Sequence, residues 1–83
     1  MNIGDRIKKI RKELDLTQQR FGERIGVKGN TIAQYELGRS NPVDSVISLM
    51  IREFNVSEDW LRYGNIYNDG QSAWRGITVF AAL

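Results

Sequence analysis

The chain has 83 residues, enough for one domain, and a domain of that size buries only about 60% of the surface its unfolded chain exposes. Its composition, 41% apolar and 27% charged, is globular, and the lack of cysteine and histidine excludes disulfides and thiolate metal sites and argues against an enzyme. The net charge of +2 divides unevenly, with nine Lys/Arg and five Asp/Glu from Met1 to Ser40 but three and five from Asn41 to Leu83, a split that suits one face on a polyanion.

Ile3, Ile7, Ile10 and Leu14 recur at helical spacing and predict a first helix with an inward stripe. Arg6, Lys8, Lys9, Arg11 and Lys12 are assigned to its other faces, and Asp5 suits the dipole of its first turn. Asp15 and Leu16 break the pattern. Thr17 then caps a second helix from Gln18 to about Ile25, with Phe21 and Ile25 facing inward. Gly22 lies inside that helix at a cost of roughly 1 kcal/mol relative to alanine, which calls for a packing reason such as close approach of the next helix. Gly26 is the expected left-handed stop.

A third helix runs from Lys28 to Glu36, with Ile32 and Tyr35 inside and Gly38 just past its end. Arg39, Ser40, Asn41 and Pro42 form a loop. A fourth helix extends from about Asp44 to Glu53, its apolar face made of Val46, Ile47, Met50, Ile51 and Phe54. Ser57 caps a short fifth helix carrying Trp60 and Leu61, and Gly64 ends it. Beyond it the composition becomes polar and turn-prone, and Ile77 to Phe80 could form one strand. The expected organisation is a helical domain over residues 1–64 and a tail over 65–83.

No apolar stretch approaches the roughly 20 residues of a membrane span, and Met1 to Asp5 lacks the flank of a signal peptide. The expected compartment is the cytoplasm, at the nucleoid.

Two helices of similar length joined by a glycine turn, Gln18–Gly26 and Lys28–Glu36, have the spacing of a helix-turn-helix, although a helix hairpin without nucleic acid has the same outline. Thr17-Gln18, Gly26-Val27, Thr31-Ile32, Glu36 and Gly38, with Pro42, Val56, Ser57 and Trp60-Leu61, resemble the Cro and phage-repressor helix-turn-helix family over about Ile3 to Gly64. The resemblance implies an all-α, five-helix lambda-repressor-like domain that binds double-stranded DNA in the major groove. It also implies homodimers on palindromic operators.

Carried over residue by residue, it places Lys28, Gly29, Asn30, Thr31 and Gln34 against the bases. Asn30 and Gln34 could bond adenine N6 and N7, and Lys28 guanine O6 and N7. Thr17, Gln18, Arg11, Arg39, Ser40 and Asn41 would hold phosphates, Gln18 through the positive end of its helix. Arg11 and Glu36 match a salt bridge joining the first helix to the recognition helix. Lys28 stands where the family often has a serine or threonine cap, so Asn30 could cap the helix instead and shift the base contacts.

The leading expectation is a phage or prophage repressor. An antitoxin, a restriction–modification controller and a protein-interaction module without DNA binding stay open. No cofactor, metal or small ligand is suggested. Trp74, Ile77, Val79, Phe80 and Leu83 make the tail apolar, fit for a dimerisation arm, for packing back on the domain, or for a non-native extension.

Overall fold

The computed structural model describes residues 2–65. They form five helices and, among the described residues, no strand: α1 (Ile3–Glu13), α2 (Gln18–Ile25), α3 (Gly29–Glu36), α4 (Asp44–Phe54) and α5 (Glu58–Tyr63). The predicted strand and the dimerisation arm lie outside the described residues.

Local signals explain the boundaries. Asn2 begins α1 with a capping box: Asp5 N donates to Asn2 Oδ1 at 2.9 Å and Asn2 N donates to Asp5 Oδ2 at 3.1 Å. Asp15, in the left-handed region at φ 57°, turns the chain away from α1. Thr17 caps α2 by accepting from Arg20 N at 3.0 Å, and Gly26 ends it at φ 78°. The fourth helix runs one residue further than expected, through Phe54, because Asn55 supplies the left-handed stop at φ 54°. Ser57 Oγ accepts from Trp60 N at the start of α5.

One core unites all five helices. Ile7 and Ile10 of α1, Phe21 of α2, Ile32 of α3, Met50 of α4, and Trp60 and Leu61 of α5 are buried together. Phe21 and Phe54 stack with ring centroids 4.5 Å apart, tying α2 to α4. No helix among the described residues is long and apolar enough to cross a membrane.

Arg6 departs from the expectation that it lies on an outer face, for it is buried. It sits beside Ile7 on α1, under the end of α5, where its Nε donates to the Leu61 carbonyl at 2.9 Å and its Nη2 to the Arg62 carbonyl at 3.2 Å. A guanidinium there answers the negative end of the α5 dipole and satisfies carbonyls that the helix leaves over. Burial pushes its pKa down, opposed by the Asp5 charge, but an arginine starts so far above neutrality that it stays protonated.

Close backbone contact joins α1 to α3. A Cβ on Gly4 would stand 2.1 Å from the Tyr35 carbonyl oxygen, so no other residue fits without moving α3. Across the molecule Arg62 ties α5 to α4, reaching Asp44 at 2.6 Å and Glu58 at 2.7 Å. The hydrogen bond to Glu58 leads in holding its pKa above the ordinary value, aided by Asp44 against desolvation.

Candidate nucleic-acid interface

The α2–turn–α3 unit is built around backbone that lies against backbone. A Cβ on Gly22 would meet the Val27 carbonyl oxygen at 2.3 Å, and Val27 N donates to the Gly22 carbonyl at 2.9 Å. Gly22 is therefore small because the turn folds onto it. The expectation had assigned that closeness to the following helix. Gly26 has open space around a would-be Cβ and is required only for its left-handed backbone.

Lys28 stands at the N-cap of α3 and makes no side-chain capping bond. Asn30 lies inside the first turn, so the alternative in which it caps the helix is not what the chain adopts. Gly29 is the first helical residue, set against α2: its would-be Cβ lies 3.0 Å from Gln19 Cα.

The far end of α3 is clamped. Arg11 Nε donates to Glu36 Oε2 at 2.6 Å and Nη2 to Oε1 at 3.0 Å, a two-pronged pair whose side chains are only 13% and 5% exposed. Arg11 Nη1 also donates to the Leu16 carbonyl at 3.0 Å, so one guanidinium binds α1, the loop before α2, and α3. Gln18 Nε2 adds a third bond to the same carboxylate at 3.1 Å. The Gln18 side-chain amide is thus turned toward Glu36, while its backbone N–H stays in the first turn of α2. At this degree of burial the pair counts for more than the exposed ion pair that sequence alone suggests.

With Ile32 and Tyr35 in the core, the opposite side of α3 is left to polar groups. Lys28 and Asn30 are exposed, Thr31 and Gln34 half-buried. None of these four side chains has a hydrogen bond or ion pair with another described residue. Thr17, Arg39, Ser40 and Asn41 are exposed too, and buried Pro42 anchors the loop that carries the last three. That loop is tied to α3, because Arg39 N and Ser40 N donate to the Gln34 carbonyl at 3.0 and 3.4 Å.

Between the starts of α2 and α3 runs a groove lined by Gln18, Gln19, Glu23, Val27, Lys28, Gly29 and Asn30. Sequence reasoning passed over Gln19 and Glu23. Their i, i+4 spacing beside Gln18 was the available signal, and in the fold they are joined at 3.3 Å. No group of three or more metal-ligating side chains occurs among the described residues. The chemistry on offer is hydrogen bonding and charge, carried on a short rigid helix.

Comparisons with known proteins agree with this geometry. A helix-turn-helix family model matches residues 7–61. The chain is 40% identical over 55 residues to antitoxin PezA of Streptococcus pneumoniae, covering 66% of this chain and 35% of that protein. It is 28% identical over 61 residues to the HTH-type transcriptional regulator ImmR of Bacillus subtilis, covering 74% and 48%. The match to multiprotein-bridging factor 1 of Debaryomyces hansenii is 36% identical over 56 residues, covering 68% and 37%. The chain therefore spans between about a third and a half of these relatives. Among solved structures, the P22 c2 repressor in complex with a synthetic operator superposes with a TM-score of 0.73 at 28% identity, covering 78% of this chain and 98% of that one. With the five-helix order, the glycine turn and the family match over most of the described residues, the chain belongs to the lambda-repressor-like helix-turn-helix family of DNA-binding transcriptional regulators.

Proposed function

We propose that this chain is the DNA-reading part of a sequence-specific repressor that acts as a dimer on a palindromic operator. The observation that carries the reading is the outer side of α3, where the side chains of Lys28, Asn30, Thr31 and Gln34 have no partner among the described residues, on a helix clamped at its far end by Arg11 and Glu36. In the DNA major groove, Asn30 and Gln34 offer an amide donor and acceptor that match adenine N7 and N6, and Lys28 a cation for guanine O6 and N7. Thr31 reaches a thymine methyl or a phosphate. Gly29 faces α2 at Gln19 and contributes no side chain to this surface.

The phosphates fall to the first turn of α2, at Thr17 and the Gln18 backbone, and to Arg39, Ser40 and Asn41 in the following loop. Arg11, engaged by Glu36 and the Leu16 carbonyl, serves to hold α3 in place and leaves the phosphates to these other groups. The likeness to the P22 c2 repressor in complex with a synthetic operator supports a phage or prophage repressor. The 40% identity to an antitoxin supports a second reading, a regulator within a toxin–antitoxin pair. Both readings use the same face of α3.

Selection of duplexes from a random pool by the 83-residue chain tests this. The expected product is a palindrome with half-sites about 34 Å apart, bound about 10³-fold more weakly at 200 than at 50 mM salt if six or more phosphates are held. Asn30→Ala and Gln34→Ala should each lose preference at defined base pairs, by about 1 to 3 kcal/mol. Uniform weakening across all sequences would move those residues to the backbone. Failure to bind any duplex at low salt would overturn the reading.

A further inference from the structure

We propose that Gly29 is a positioning residue that sets how close the reading end of α3 lies to the anchored end of α2, and so sets the base preference without contributing a side chain. The proposal rests on α3 reading DNA, and it deepens that reading.

A Cβ at Gly29 would lie 3.0 Å from Gln19 Cα, 3.1 Å from Gln19 N and 3.4 Å from Gln19 Cβ. The two nearest atoms are backbone in the first turn of α2, so they cannot swing aside as a side-chain tip would. The starts of the two helices are therefore as near as main chain allows, and a methyl group would part them by a few tenths of an ångström. No capping side chain holds the start of α3, since Lys28 makes no such bond, so this backbone contact bears directly on where its first turn lies. At the other end Ile32, Tyr35 and the Arg11–Glu36 pair keep the helix in place. The displacement is taken up at Lys28, Asn30 and Thr31.

Three glycines in this unit have separate tasks. Gly22 receives the turn, with a carbonyl oxygen 2.3 Å from its would-be Cβ, and Gly26 supplies the left-handed stop. Gly29 has neither constraint. Its φ is not positive, so alanine suits its backbone, and alanine is the better helix former. That gain opposes the packing cost, leaving the fold intact while the spacing changes. Hydrogen bonds to base edges weaken within a few tenths of an ångström, whereas phosphate attraction is long-ranged and tolerant.

The test uses the duplex that the unchanged chain selects from a random pool, with a scrambled duplex as reference. Gly29→Ala should keep its helical circular dichroism and its affinity for the scrambled duplex. Its preference for the selected duplex should fall about tenfold or more. Gly29→Ser carries the same Cβ and should show the same loss. In a double-mutant cycle with Asn30→Ala, the losses should be less than additive, because misplaced Asn30 has little contact left to lose. Unchanged preference in Gly29→Ala, recovery in Gly29→Ser, or full additivity would each overturn the proposal. So would loss of helicity, which would make Gly29 a requirement of the fold like Gly22. Absence of binding by the unchanged chain is a separate result, and strikes the DNA-reading role itself.

Discussion

The α2–α3 unit and the α4–α5 unit share one core but treat their polar groups in opposite ways. In the second unit Arg62 spends its guanidinium on Asp44, Glu58 and Ser48. Between the units Arg24 pairs with Glu53 at 2.7 Å and lies 5.3 Å from the Phe54 ring centroid. In the first unit Arg11 and Gln18 converge on Glu36 at the end of α3, and the side chains of Lys28, Asn30, Thr31 and Gln34 have no partner among the described residues. Charge alone would not separate the two, since each carries arginines. What separates them is whether the fold uses its polar groups up or holds them out on a rigid support.

The most severe test of that contrast attacks what the units have in common. Phe54→Ala removes the ring that stacks on Phe21 and lies beneath Arg24, and should cost about 3 to 5 kcal/mol. Urea denaturation followed by circular dichroism should show one weakened transition. Two separated transitions would mean that the units fold independently.

A smaller loss is expected from Arg11→Met, which strands the Glu36 carboxylate at 5% exposure. With Gln18 still bonded to it, the cost should be about 2 to 3 kcal/mol. Adding Glu36→Gln should recover part of this by removing the unpaired charge. If the double variant is no more stable than the single, the clamp acts through shape and not charge.

Least of all should come from the exposed charges. Arg24→Ala, in a pair whose side chains are 47% and 39% exposed, should cost under about 1 kcal/mol and leave DNA affinity alone. Lys28→Ala should change stability by no more than about 0.5 kcal/mol yet weaken DNA binding. Equal effects of the two on DNA would erase the distinction between polar groups that the fold pairs and those that it holds out.

The helix pattern and its punctuation were legible because their causes are local. Thr17, Gly26, Ser57 and Gly64 each act within four residues of themselves, and the structure places each at the helix end expected of it. Three features were not legible, for one shared reason. Arg6 is buried by carbonyls 55 and 56 residues along, Gly4 is kept small by the Tyr35 carbonyl, and Gln18 turns its amide to Glu36. Each depends on an atom brought near only by the finished fold. The outward residues of α3 could be listed from periodicity, but Gly29 among them was indistinguishable from a groove-facing position until Gln19 came to lie against it.

The meeting of Gly4 with the Tyr35 carbonyl has an effect well away from where it occurs. The recognition helix has eight residues and, at about 1.5 Å rise each, is a lever about 12 Å long. Gly4 lies at its rear pivot. A tilt of about 5° there would sweep the tip through about 1 Å. On the proposed reading of α3, the first turn of α1 acts as an aiming stop for the helix tip, and a change at Gly4 would redirect Lys28, Asn30 and Thr31 without touching them.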